Sequence, residues 1–141
     1  MALNPRAALD QYRRASLQAR VEQANAHQLI QMLMAGALEK IRLARRFMQE
    51  GKVAAKGEHI SWAISILSGL QTSLDHERGG EIAANLDALY TYLQEILLQA
   101  NLRNAPELLD EADRLLSTIK EAWDGIADQA QAPARAGGHG A

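Results

Sequence analysis

Four histidines, a helical row of serines and two knots of carboxylates are the residues of this chain whose types could do chemistry. A dinuclear iron–carboxylate centre in a helical protein needs a glutamate three residues before each of two histidines, so that both ligands leave one face. None of His27, His59, His76 or His139 has one, and no two histidines stand four apart as a helical zinc pair requires. With no cysteine, thiolate metal sites and disulfides are excluded. His76 and Glu77 adjoin beside Asp75 in a polar stretch that a solvated turn explains. Glu107, Asp110 and Glu111 crowd one helical start, where the helix dipole favours negative charge. Gly79-Gly80 lacks the lysine and the preceding strand of a phosphate-binding loop. Ser61, Ser65 and Ser68 share a face with no base near them in sequence. No catalytic residue, metal site or cofactor is expected, so the chain reads as a non-enzyme.

Binding is then the class of function to examine. Net charge is −2, which gives no general attraction to nucleic acid, and Arg42, Arg45 and Arg46 lack interleaved aromatics. Charge is uneven along the chain. Arg6, Arg13, Arg14 and Arg20 face Asp10 alone, whereas residues 107–128 hold seven carboxylates against Arg114 and Lys120. Solvated helix faces account for most of this pattern. No apolar run approaches the roughly 20 residues of a membrane span. The first 14 residues, MALNPRAALDQYRR, lack the apolar core and cleavage site of a secretory signal. A cytoplasmic protein without membrane insertion is the expectation.

The elements that must carry any binding surface are helices. Leu, Ala, Gln and Glu dominate, with one Phe, three Tyr and three Pro in 141 residues, a length suited to one domain. Residues 1–24 form an arm with a short helix that Asn4 can cap and Pro5 can start, with Leu9 and Tyr12 on one face. That face is too small to be stable alone, so the arm must dock or stay mobile. Asn25 and Gln28 form a capping box in amide form. Ile30, Leu33, Ala37, Ile41, Ala44 and Met48 then mark one apolar stripe, and Gly51 ends it. Ile60, Ala63, Leu67, Leu70 and Leu74 mark a second stripe, and the polar stretch Asp75–Gly80 follows as a connection. Across residues 79–104, Ile82, Leu86, Leu89, Leu93, Ile96 and Ala100 step by alternate fours and threes, the seam of a helix packed lengthwise on neighbours. Asn104 and Glu107 offer another capping box, and Leu108, Ala112, Leu115, Ile119, Ala122 and Ile126 form a fourth seam.

Four such helices with short connections predict an all-α, antiparallel up-down four-helix bundle over 25–128, preceded by the arm at 1–24 and followed by a disordered tail at 129–141. The seams do not use every apolar residue. Ile64 and Ile66, Tyr90 and Leu97, and Leu109, Leu116 and Trp123 lie beside them, along with Met32 and Met34. Bundle helices commonly bury a stripe wider than the strict seam, which explains many of these. Together they also allow an unfilled apolar groove of the kind that takes an amphipathic helix or extended peptide. Candidate groove residues are Ile64, Ile66, Tyr90 and Leu97, joined by Leu9 and Tyr12 of the arm. The rival expectation is a self-associating structural module in which the surplus residues form a homodimer face.

Several motifs in order resemble the FliS family of flagellar secretion chaperones. They are 26–33 (AHQLIQML), 79–83 (GGEIA) with Asn85-Leu86, Leu89-Tyr90-x-Tyr92, 99–104 (QANLRN) and Ala122-Trp123. The resemblance spans about Leu9 to Ile126. Where the family often has Ser-Pro before the first long helix, this chain has Asn25-Ala26, and asparagine caps as well as serine. The resemblance implies a bundle that holds the C-terminal segment of flagellin in apolar grooves, prevents premature polymerisation and delivers it to a component of the flagellar export gate. It implies that the arm covers part of that surface in the free protein and that the tyrosine at Tyr12 matters for recognition. Other flagellar regulators are further candidate partners, and a monomer or weak homodimer is expected.

Overall fold

The amide capping box at Asn25 is formed. The Gln28 amide donates to Asn25 Oδ1 at 2.8 Å, and the Asn25 amide donates to Gln28 Oε1 at 3.1 Å. Two of the amide donors that any helix start leaves unpaired are thereby satisfied. A computed structural model describes residues 6–11 and 25–136, with side chains as far as Ile126. Helical residues 6–11 (α1) precede α2 (Ala26–Gln49), α3 (Val53–Thr72), α4 (His76–Arg103) and α5 (Pro106–Ala136). The described residues contain no strand.

Connections of two or three residues force successive long helices to run antiparallel, and the four close into a ring. α2 and α4 each pack against α3 and α5, with no packing across either diagonal. This is the expected up-down bundle. Gly51 leaves α2 at φ +72°, a conformation that glycine adopts without steric cost.

Two connections differ from expectation. Helix α4 begins at His76 rather than Gly79, because the Asp75 side chain caps it by accepting from the Arg78 amide at 3.1 Å. The helix then breaks at Gly80, whose φ of 51° and ψ of −122° are open only to glycine, and resumes beyond it. Asn104 is the left-handed C-cap of α4, and its side chain accepts from Lys56 instead of building a box with Glu107. Helix α5 is described as far as Ala136. Residues 137–141 lie outside the described residues.

The core is apolar and continuous, from Leu33, Met34 and Ile41 on α2 through Ile60, Ile66 and Leu67 on α3 to Leu93 and Leu97 on α4 and Leu109 and Leu116 on α5. The stripes expected on α2 and α3 are the buried ones. On α4 and α5 the buried face is turned by about one residue. Ala83, Tyr90, Leu93, Ile96, Leu97 and Ala100 face inward on α4, while Ile82 is 60% exposed. Both candidate stripes of α4 share Leu86, Leu93 and Ala100, so spacing leaves the choice to packing, and burying Tyr90 removes more apolar area than burying Leu89. On α5 the residues beside the expected seam, Leu109 and Leu116, are fully buried, and Ile126 is 39% exposed.

Polar groups fix the register of α2 against α5. The guanidinium of Arg42 donates to both oxygens of Asp113 and to Ser117 Oγ, and Arg45 forks onto Asp110. The bond from Arg42 holds the Asp113 carboxyl below its usual range.

Candidate functional site

At the end of the bundle where α2 begins and α3 finishes, the four helices do not fill their own interior. A groove of about 400 Å³ opens there, walled by Ile30 of α2, Leu70 of α3, Leu74 of the link that follows it, Ile82, Leu86 and Tyr90 of α4, and Trp123 of α5. Two seam residues expected to be inside, Ile82 and Ile126, are exposed at this same end. Apolar side chains that the helical repeat sets in an inward stripe, but that no described helix covers, leave an open apolar surface.

The α5 wall is fixed by a reciprocal clasp. The Trp123 ring stacks on His27 with centroids 4.5 Å apart and planes 7° from parallel. Trp123 Nε1 donates to the His27 carbonyl at 3.1 Å, and His27 Nε2 reaches the Trp123 carbonyl at 2.8 Å. A carbonyl only accepts, so Nε2 carries the ring proton, and Nδ1 is left buried without a partner. Nearby, Gln31 donates to Asp124 Oδ1 at 2.6 Å.

Tyr90 belongs to the core and to the groove at once. It is 1% exposed, yet it forms part of the groove wall. Burial pushes its phenol up to about 12. The folded chain therefore binds that proton more tightly than the unfolded chain, whose phenol titrates near 10. The stability this carries is whole below pH 10 and is lost as pH rises through about 12, and its size is roughly 2–3 kcal/mol. Tyr90→Phe should flatten this alkaline loss while keeping neutral-pH stability, as urea unfolding at pH 8 and pH 11 would register. An equally steep loss in the variant would trace it to another group.

Beside the groove lies the seat of α1. Leu9 packs against Gly69 of α3, in a second cavity bounded also by Arg6, Asp10, Ser68, Thr72 and Ser73. Ser73 lines both cavities, so the arm's seat and the groove adjoin. A methyl group at Gly69 would overlap the Leu9 side chain. Gly69→Ala should therefore unseat α1 at a cost of about 1 kcal/mol, roughly half the value of burying a leucine. Amide exchange at residues 8–11 should then quicken roughly fivefold. Unchanged exchange there would show that Leu9 is not the anchor.

The six candidate residues separate by position. Ile66 (1% exposed) and Leu97 (fully buried) are core residues, because α3 and α4 each bury two flanks inside the ring. Ile64 is half-buried against the core and is not among the groove residues. Tyr90 is at the groove, Leu9 is at the adjoining seat, and Tyr12 lies outside the described residues. Ile82, Ile30, Leu70, Leu74 and Leu86 were assigned to seams. The candidate Tyr90 and the surplus Trp123 were the sequence signals for this groove. Among the described residues no cluster of three or more His, Asp or Glu could hold a metal ion, and no helix is long and apolar enough to cross a membrane.

Comparison with known proteins places this geometry. Residues 8–130 match the family model described as flagellar protein FliS. The chain is 48% identical over 119 residues to the flagellar secretion chaperone FliSB of Pseudomonas aeruginosa, covering 84% of this chain and 94% of that one. It is 48% identical over 120 residues to the flagellar secretion chaperone FliS of Salmonella typhimurium, with 84% and 89% covered. To the FliS of Bacillus subtilis it is 31% identical over 103 residues, with 73% and 76% covered.

Proposed function

The chain belongs to the FliS family of flagellar secretion chaperones, which are not enzymes, and on that premise we propose that its client is the C-terminal segment of flagellin, held in the groove walled by Ile82, Leu86, Tyr90 and Trp123. The observation that carries this reading is the exposure of Ile82 at 60% beside an apolar opening that the bundle leaves unfilled. An amphipathic segment laid there would cover the open ends of the α4 and α5 stripes. A client that folds on binding buries on the order of 1,000–3,000 Å² and must offset its ordering cost. One groove of this size is then a single station on a longer track. While bound, the segment is kept from polymerising, and the complex is carried through the cytoplasm to the export gate.

The arm fits this role as a cover. Leu9 seated on Gly69 lies next to the groove, so a client reaching past Ser73 would compete with α1. If α1 only covers the surface, Gly69→Ala tightens client binding. If α1 also touches the client, the same change weakens it.

Titration of a labelled flagellin C-terminal segment, with amide shifts mapped along the chain, tests the reading. Shifts should concentrate at Ile30, Ile82, Leu86 and Trp123. Ile82→Glu, at an exposed position, should leave the melting temperature in place and weaken binding by more than about tenfold, the effect of setting a charge against an apolar client face. Shifts confined to the opposite end of the bundle, or full affinity in Ile82→Glu, would sink it.

A further inference from the structure

Helix α4 offers its neighbours two apolar faces in the half that walls the groove. One is Ile82, Leu86, Leu89 and Leu93; the other is Ala83, Leu86, Tyr90 and Leu93. At about 100° per residue their centres lie only about 50° apart around the helix axis. The face turned inward gains the Tyr90 ring but gives up Ile82 for Ala83, so apolar burial leaves the two close to even. Where apolar faces are that nearly interchangeable, polar groups set the orientation, because their bonds fit one arrangement only.

The polar groups that do so converge on Gln71, in the last turn of α3. Its amide nitrogen donates to Asp87 Oδ1 at 2.6 Å and to Thr91 Oγ1 at 2.7 Å, with the Asp87 carbonyl at 3.2 Å. Gln94 Nε2 returns a bond to Gln71 Oε1 at 2.8 Å and also reaches the Tyr90 carbonyl at 3.2 Å. A carboxylate only accepts, so the Gln71 nitrogen must face Asp87, which leaves its oxygen for Gln94. Asp87, Thr91 and Gln94 are spaced four and three apart, one stripe of α4 turned to α3. On the other flank Tyr92 donates to Glu111 of α5. A roll of α4 that set Ile82 inward would carry the Asp87 stripe away from α3 and break the clasp.

We propose that Gln71 is the positioning residue of the groove. By clasping Asp87, Thr91 and Gln94 it fixes the roll of α4, with Tyr90 inward and Ile82 on the rim. Without the clasp, α4 turns Ile82 into the groove, and the bundle fills the space that a client needs. The roll is a property of the chain alone; its meaning for the client rests on the client-binding reading above.

The chain has no cysteine, so single thiols placed at 82 and 83 report the roll directly. Ile82→Cys and Ala83→Cys are each made in the full chain and in Gln71→Met, which keeps the side-chain length and loses the hydrogen bonds. Position 82 is 60% exposed and position 83 is 3% exposed, so the parent labels faster at 82. In Gln71→Met labelling should slow at 82 and quicken at 83, and the ratio of the two rates should fall by about tenfold or more. Simple loosening of the helix would quicken 83 and leave 82 fast. Thr91→Val, an isosteric change at an exposed position, should move the ratio the same way by a smaller factor, and it decides the matter should Gln71→Met not fold. Asp87→Asn keeps the acceptor for Gln71 and removes only the charge that His76 approaches at 3.8 Å, so its ratio should match the parent's. A flagellin C-terminal segment should bind Gln71→Met about tenfold more weakly, as fewer molecules hold the groove open. A ratio unchanged in the folded variants, thiols that quicken together, or a full shift in Asp87→Asn overturns the inference and leaves the client reading intact. A fallen ratio with undiminished affinity upholds the roll and removes the groove as the client's site.

Discussion

Tyr90→Ala is expected to cost about 3–5 kcal/mol of folding stability, the range for truncating a large buried aromatic side chain. Melting should fall by roughly 10–20 °C at this chain length. Tyr90 is 1% exposed, so its removal leaves a void in the core that rigid neighbours fill only in part. The same ring forms part of the groove wall, so client affinity should fall as well, by about tenfold or more, even at a temperature where the variant remains folded. Tyr90→Phe, which keeps the ring, should retain both properties at neutral pH. Loss of stability with full affinity in Tyr90→Ala would show that the client does not reach this depth.

Lys56→Ala is expected to cost about 2–3 kcal/mol, with client affinity held within a factor of two. Lys56 is 6% exposed and reaches the Asn101 carbonyl at 3.3 Å and Asn104 Oδ1 at 3.1 Å. Its ammonium thus sits against the C-terminal end of α4, where helical carbonyls lack partners and the dipole is negative. Truncation removes the partner of the half-buried Asn101 carbonyl, at about 1–3 kcal/mol, and removes the packed stem, while the exposed Asn104 side chain turns to water. Lys56→Met keeps the stem and should recover about half of the loss, as chemical unfolding would measure. A Met variant as unstable as the Ala variant would assign the whole effect to the charge. The site lies at the far end from the groove, so a large loss of client affinity would contradict the placement of the client.

Much of this architecture was legible in the residues. Asn25 and Gln28 announce the start of α2 because their hydrogen bonds are local, and the α2 stripe has no competing register. On α4 periodicity was ambiguous: Ile82 and Ala83, and Leu89 and Tyr90, are pairs of neighbours, and either member of each suits a helical repeat. Which member turns inward is decided by the shapes of α3 and α5, which spacing along one helix does not encode. That ambiguity hid the groove, since its most exposed wall residue had been assigned to the seam. The turn 76–79 was hidden for another reason. His-Glu-Arg-Gly-Gly reads as loop by composition, but the Asp75 cap makes one helical turn worthwhile before Gly80 redirects the chain.

The pairing of α2 with α5 has a consequence for how the protein reaches its fold. The helices that follow one another in sequence meet through two- or three-residue links, so those pairs form with little loop entropy. The α2–α5 contacts join residues 65 to 96 positions apart, from Arg45–Asp110 to His27–Trp123. Among the four long helices, closing the ring is the long-range step, and it comes after the hairpins exist. Substitutions at Trp123 or Asp113 should therefore speed unfolding far more than they slow folding, a split that stopped-flow kinetics would resolve. The wall of the groove that Trp123 supplies is then the last part of the chaperone to be built and the first to come away.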